Sequence, residues 1–380
     1  MSAHKKKILF VITYLELGGA QKQLLSIIKK LNTDKYSLYL FAGDSGYLKE
    51  EFKQIPYLEK KLIPELKRSI NPVDDIKVFF KLYNYIRKER FDIVHTHSPK
   101  ASILGRWAAY SAGVKNIIYT VHGWPFHKFM PRALYWFFLF LERLTANITK
   151  KIIVVSKGDL KIGIDRRIAP EGRIILIHYG VDIKMLDDIY KRRKKRRLND
   201  MIINISSLKR QKGLSYFLKS AKSISDKNGN PQFFIIGDGP LRQSLERDVE
   251  KEGLGDRVNI EGWVGDISGL LSNASILMLT SLWEGLPLCV IEAALAGVPM
   301  VVTDTGGSLD IVANNRNGIV VRPGSAEELS RAALSILGDY KRWISVIEEE
   351  RKNLDISYWS CERMLDQLDN IYGTCKEART

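Results

Sequence analysis

The sequence predicts an α/β protein built as two Rossmann-like domains facing across a cleft. Short β-branched runs alternate with longer amphipathic segments, which is the rhythm of a parallel sheet with helices on both faces. That rhythm stops near residue 190 and restarts at Met201. The length of 380 residues suits two or three domains, and 45% hydrophobic with 27% charged residues is a globular composition.

In the first half, Ile8–Thr13 reads as a strand, Gln21–Leu31 as a helix and Ser37–Ala42 as a second strand. Val73–Lys88 is helical, Ile93–His97 a strand, Ala101–Ala112 a helix, and Asn116–Val121 and Ile152–Ser156 are strands. After the like-charge block 191–197 (Lys-Arg-Arg-Lys-Lys-Arg-Arg), Met201–Ser206 is a strand, Leu214–Asp226 a helix and Gln232–Ile236 a strand. Ser275–Leu279, Met300–Thr303 and Gly318–Val321 are further short strands. The expected division is a first domain over 1–185, a basic linker over 186–200, a second domain over 201–355 and a C-terminal helical segment over 356–380. In such sheets ligands bind at the carboxyl ends of the strands.

The apolar run Ile8–Ile12 after Lys5-Lys6-Lys7 is too brief for a leader and reads as a first buried strand. No stretch reaches the roughly 20 apolar residues of a spanning helix. Three cysteines (Cys289, Cys361, Cys375) form neither a disulfide framework nor a metal-ligand spacing, so a reducing, cytoplasmic setting is expected. The formal charge is +16, from 59 basic and 43 acidic residues. It fits a basic soluble surface, an anionic membrane, a nucleic acid or a phosphate-bearing substrate. Helix 130–149 has an apolar, aromatic core (Ala133–Leu141). The expectation is a helix buried between sheet and neighbour; the alternative is one lying in a membrane interface beside Lys128 and Arg132.

Four stretches carry chemistry. Gly18-Gly19, between a strand and a helix, lets backbone approach a ligand at a helix N-terminus. It lacks the spaced G-x-G-x-x-G of dinucleotide binders, which counts against a nicotinamide-dependent oxidoreductase. Ser206–Gly213 is a basic strand-end turn in which Arg210 and Lys212 either face a diphosphate or are solvated. Gly237-Asp238-Gly239-Pro240 follows a buried strand and suits either a ligand or a plain turn into a helix. Most informative is Ser281–Ala294. Glu284 precedes a helix and Glu292 lies about one and a half turns inside it, so they reach two parts of an elongated ligand rather than one metal. Gly285-Leu286-Pro287 presents backbone N–H groups, except at Pro287, where a phosphate is favoured. A glutamate inside an otherwise apolar helix needs a partner, and a ligand hydroxyl is the expected one.

These stretches resemble glycosyltransferase family 4, of GT-B fold, over nearly the whole chain and most strongly from 201 to 325. The motifs are the Gly18-Gly19-Ala20 loop, the Gly237–Pro240 turn, the Glu284–Glu292 pair, Asp304-Thr305-Gly306-Gly307 and Asn317-Gly318. Asp92–Lys100 with Thr120-Val121-His122-Gly123 is similar to bacterial members that build surface polysaccharides.

The resemblance implies roles. Lys212, Glu284 and His122 would be catalytic: Lys212 on the diphosphate, Glu284 on sugar hydroxyls, His122 at the donor sugar or between the sugars. Glu292 would take the ribose, and Trp263 and Val264 would lie near the base. Gly18, Gly19, Ser207, Arg210, Gly237, Gly285, Leu286, Pro287 and Leu288 complete the donor set. Gln21, His97, Ser98, Lys100 and His122 would meet the acceptor. The family usually has an arginine where Ser207 stands, so another donor is expected, with Arg210 one candidate. Residues 356–380 would include the family's final helix, which crosses back to the first domain.

The expected reaction is retaining transfer of a hexose or N-acetylhexosamine from a UDP-sugar, without cofactor. No D-x-D occurs in the chain, so no catalytic metal is expected. The acceptor implied is a lipid-linked saccharide at the inner membrane face, with peripheral contact to anionic lipid. The block 191–197 reads equally as a membrane patch or a solvated linker. A nucleotide-sugar epimerase of the same architecture is disfavoured by the paired glutamates. A nucleic-acid-binding protein is disfavoured because the basic block has no interleaved aromatics.

Overall fold

A computed structural model describes residues 5–194, 200–227 and 231–375. The chain divides into two compact units. The first holds residues up to Gly180 together with those from Glu362 onward, and the second holds Val181–Cys361.

The first unit runs β1 (Lys6–Ile12), α1 (Gly19–Lys30), β2 (Tyr36–Gly43), α2 (Lys49–Lys53), β3 (Leu58–Ile63), α3 (Pro72–Glu89), β4 (Ile93–His97), α4 (Pro99–Ser111), β5 (Asn116–Val121), α5 (Arg132–Ala146), β6 (Lys151–Val154), α6 (Lys157–Asp165) and β7 (Ile174–Leu176). The second runs α7 (Ile183–Arg193), β8 (Met201–Ile205), α8 (Leu214–Ser225), β9 (Gln232–Ile236), α9 (Arg242–Lys251), β10 (Val258–Gly262), α10 (Ser268–Asn273), β11 (Ile276–Leu279), α11 (Leu288–Leu295), β12 (Met300–Thr303), β13 (Gly318–Val321), α12 (Ala326–Gly338) and α13 (Tyr340–Asn353). The last helix, α14 (Cys361–Gly373), packs in the first unit. There Tyr372 donates to or accepts from His95 Nδ1 at 2.7 Å, and Asp369 accepts from Tyr36 at 2.7 Å.

Both sheets are parallel, in the orders β3-β2-β1-β4-β5-β6-β7 and β10-β9-β8-β11-β12-β13. These are two Rossmann-like domains. In each, the order reverses beside the first strand, between β1 and β4 and between β8 and β11, and the strand ends at such a switch point form the crevice where ligands bind. The central strands are buried, β1 from Ile8 onward, as parallel sheets covered on both sides require; β11 is wholly apolar and β12 apolar but for Thr303, whereas β4 buries His95, Thr96 and His97. Helix starts follow local chemistry. Asn71 caps α3 ahead of Pro72, and the side chains of Ser156 and Asp182 cap α6 and α7.

Two expectations are corrected. The segment 186–200 begins inside α7 rather than as a linker. Within the block 191–197, Lys191 pairs with Asp187 at 2.6 Å and Lys194 with Glu348 at 3.1 Å. Arg193 is buried and donates to the carbonyls of Leu271 and Ala274 at 2.7 and 2.6 Å. Residues 195–197 lie outside the described residues. The second correction concerns the aromatic helix. Only Leu139, Glu142, Thr145 and Ala146 of α5 are buried, and they lie on one side of the helix. Arg106 of α4 anchors that side through Glu142 at 2.7 Å, so Trp136, Phe137 and Phe140 point outward and are more than half exposed.

Candidate active site

In the second domain, the turns after β8 and β11 carry the residues singled out from sequence. Adjacent strands bring them together although 72 positions separate them. Lys212 sits in a short helical turn, Arg210–Lys212, and Gly213 follows in the left-handed region (φ 60°). A Cβ there would meet the Thr280 carbonyl at 2.2 Å. The Thr280 hydroxyl donates to the Lys212 carbonyl at 2.8 Å, and Leu282 N–H donates to the Gln211 carbonyl at 2.8 Å. This lacing places the Lys212 ammonium on Glu284 Oε1 as an ion pair, with both side chains largely buried. Ser281 Oγ donates to the same oxygen at 2.7 Å, and Gln211 Nε2 donates to Glu284 Oε2 at 3.4 Å and to the Trp283 carbonyl at 2.8 Å. Lys212 and Glu284 thus form one polar cluster, with Ser281 and Gln211 as members that sequence reasoning missed. Ser281 was visible in the quoted motif but offered no charge to mark it.

Beyond Glu284 the chain turns through Gly285-Leu286-Pro287 into α11, whose first N–H groups have no intrahelical acceptor. Glu292 is the one residue of α11 that is not buried. Gly307 packs so closely on this turn that a Cβ would lie 1.5 Å from the Gly285 carbonyl oxygen, which dictates glycine there. The Thr303 hydroxyl donates to the Ser281 carbonyl at 2.6 Å and holds the same turn from β12.

Gly237 has φ 140°, and its Cβ would fall 2.0 Å from the Ser206 carbonyl oxygen. Close packing of the β8 and β9 ends therefore requires glycine here. Trp263 and Val264 follow β10 and are partly exposed. Ser207 is partly buried, and Arg210 nearby is exposed. Arg242, by contrast, is committed to Asp238 at 3.2 Å and Glu246 at 2.9 Å.

In the first domain, the strand ends bring together Thr13, His97, Ser98 and His122. Gly18 caps α1, and a Cβ on it would strike the Gln21 amide oxygen at 2.6 Å. Gln21 is buried and donates to the Tyr14 carbonyl at 3.3 Å. Ser98 is left-handed (φ 62°), and its hydroxyl accepts from Thr13 N–H at 3.1 Å and pairs with the Thr13 hydroxyl at 2.7 Å. Lys100 pairs with Asp75 and donates to the Ser69 carbonyl.

His122 has both ring nitrogens engaged, Nδ1 with Tyr179 Oη at 2.6 Å and Nε2 with His97 Nδ1 at 2.9 Å. His97 is fully buried, and its Nε2 has no partner among the described residues. His95 is bound on both nitrogens, to Tyr372 and Thr120 at 2.7 Å each. Desolvation pushes His95 and His122 down to about 3, and His97 well below its ordinary value, so all three are neutral at pH 7. Two neutral imidazoles and a phenol make a directional chain, in which each hydrogen bond fixes the next tautomer. Tyr179 had no signal in the sequence.

The fold and site define a class: a two-domain α/β enzyme whose polar strand-end clusters suit a nucleotide-sugar. Residues 17–184 match the family described as Glycosyltransferase Family 4, and residues 187–353 match Glycosyl transferases group 1. The chain belongs to glycosyltransferase family 4, of GT-B type, and is a hexosyltransferase. It is 29% identical to an Escherichia coli UDP-Gal:alpha-D-GlcNAc-diphosphoundecaprenol alpha-1,3-galactosyltransferase, over 98% of each chain. It is 26% identical to a Campylobacter jejuni alpha-1,4-N-acetyl-D-galactosaminyltransferase whose name specifies a diNAcBac-PP-undecaprenol-linked saccharide, over 93% of this chain and 95% of the other. The Anabaena protein HepE, crystallised with UDP and glucose, superposes with a TM-score of 0.79 at 18% identity, covering 98% of this chain and all of the other. That likeness is one of fold.

Proposed function

We propose that the protein transfers a hexose or N-acetylhexosamine from a UDP-sugar to a lipid-linked saccharide, with retention, in assembly of a bacterial surface polysaccharide. The observation that carries the donor half is the Lys212–Glu284 cluster ahead of α11. On donor binding, Lys212 exchanges Glu284 for diphosphate oxygens. Glu284, still held by Ser281, then accepts from sugar hydroxyls. The N–H groups after Gly285 and Arg210 add positive potential for the departing UDP. Glu292 takes the ribose hydroxyls, and Trp263 and Val264 flank the base.

The acceptor hydroxyl attacks the anomeric carbon on the face from which UDP leaves. The sugar–phosphate bond breaks, the new glycosidic bond forms, and the hydroxyl proton passes to the departing phosphate oxygen. Lys212 and backbone donors stabilise the charge that develops. The lipid-linked acceptor is supported by the two undecaprenol-linked relatives, and contact with an anionic membrane by the formal charge of +16. Among the described residues no helix is long and apolar enough to cross a membrane, and the contact proposed is a peripheral one.

The test is UDP release across candidate UDP-sugars with a polyprenyl-diphosphate saccharide, and the anomeric configuration of the product by NMR. One donor should release UDP only with acceptor present and give the donor's own configuration. An inverted product would end the retaining reading, and silence from every donor would end the UDP-sugar reading.

A further inference from the structure

Among the described residues, the outward side of α5 is left exposed. At 3.6 residues per turn, Trp136, Phe140, Leu144 and Phe137 fall within an arc of about 100°. Their exposures are 56, 63, 41 and 55%. A contiguous apolar face of this kind marks an interaction surface.

Its margin is basic. Arg132 and Arg143 stand on one border of the arc, and Arg143 donates to the Arg166 carbonyl at 2.9 and 2.5 Å, which brings Arg166 and Arg167 to the same side. Beside them lies a groove of about 610 Å³, lined by Arg143, Asn147, Ile164, Arg167, Ile174 and the 168–172 segment. Arg132, Arg143, Arg166 and Arg167 are all exposed, and among the described residues none of them pairs with a carboxylate. Lys191 and Lys194 of the basic block do pair with carboxylates. From Gly123 to Gly158 the one acid is Glu142, buried on Arg106. Glu171 is the one acid at the groove.

We propose that this face docks on an anionic lipid surface, with the α5 aromatics in the acyl boundary and the groove seating a headgroup phosphate. Aromatics on one side and unpaired arginines on the border are what interfacial helices use. A second copy of the chain docked in an antiparallel two-fold contact through α5 would set the arginine margins against each other. The proposal deepens the membrane contact proposed above. It rests on the lipid-linked acceptor only for its purpose, since binding is measured without acceptor.

The experiment is sedimentation of the full chain with phosphatidylcholine vesicles, with and without phosphatidylglycerol, at low and high salt. Binding should require phosphatidylglycerol and weaken with salt. The Arg143→Gln/Arg167→Gln variant should partition about 25-fold less, at roughly fivefold per basic residue. Trp136→Ser/Phe140→Ser should lose about tenfold or more while keeping its salt dependence, and brominated lipid should quench the wild type but not Trp136→Phe to the same extent. Both double variants should keep the wild-type melting temperature and UDP release with a water-soluble acceptor analogue.

Variants that bind as wild type, no preference for phosphatidylglycerol, or lipid-free dimerisation that buries Trp136 would each overturn the proposal. Wild type that binds vesicles but releases no UDP with the soluble analogue would instead strike the transfer reading and leave the docking face standing.

Discussion

The contact that turns the α5 aromatics outward is open to a direct stability test. Arg106 and Glu142 are buried, with side-chain exposures of 0 and 1%, and their charged groups meet at 2.7 Å. Arg106 Nε donates to the Ser102 carbonyl and Nη1 to Thr149 Oγ1, each at 3.3 Å, and the guanidinium lies 4.3 Å over the Tyr119 ring. Among the described residues Glu142 Oε1 is buried without a partner, so the pair is only partly satisfied.

Glu142→Leu would leave the guanidinium uncompensated in the core, at a cost of about 3–5 kcal/mol. At about 2–4 °C per kcal/mol for a domain of this size, the first-domain transition should fall by roughly 6–20 °C. Arg106→Met/Glu142→Leu should recover most of that loss, because an apolar pair of similar volume removes two desolvated charges together. Thermal and urea unfolding, read with hydrogen exchange on α4 and α5 amides, would give the double-mutant cycle. A Glu142→Leu loss below about 1 kcal/mol, or a double variant no better than the single, would refute this reasoning.

Other outcomes follow from the same geometry. His95 and His122 sit at about 3 when folded and near 6.5 when unfolded, so their contribution is complete above 6.5 and declines as pH falls toward 3. Urea unfolding should show about 2–3 kcal/mol less stability at pH 5 than at pH 6, and a flat profile from 7 to 5 would contradict the buried neutral histidines. Tyr179→Phe removes only the hydroxyl at His122 Nδ1 and should cut turnover roughly fivefold, for a bond worth about 1 kcal/mol. Donor affinity should stay nearly unchanged, and unaltered turnover would mean the tautomer chain plays no part. Gly307→Ala drives a Cβ into the Gly285 carbonyl and should weaken donor binding and destabilise the second domain by about 1–3 kcal/mol. Calorimetry would show the first-domain transition unmoved.

The central strands were legible because their apolar runs are long enough to stand out. The three strands that escaped notice, β3, β7 and β10, lie at sheet edges. There β3 reads Leu-Glu-Lys-Lys-Leu-Ile, β7 spans three residues, and β10 alternates Asn and Glu with apolar residues. Short, charged edges are how sheets resist further pairing, and they blur the signal.

For α5, composition suggested burial, but one ion pair to Arg106 settles which side packs, and sequence spacing does not reveal it. Glu284 and Lys212 were both singled out, yet their pairing depends on β8 and β11 being neighbours. The same limit hid Tyr179, which meets His122 from 57 positions away. The pairing of Lys100 with Asp75 and the Ser69 carbonyl was likewise hidden in the sequence.

The most direct test of donor catalysis is steady-state UDP release by Lys212→Ala beside wild type, with the donor and acceptor that the screen selects. Removing the preorganised cation joined to Glu284 should lower turnover on the order of a hundredfold or more, with Lys212→Arg intermediate and the melting of the first domain unchanged. Near-normal turnover by Lys212→Ala would contradict the assignment of the donor diphosphate to this cluster.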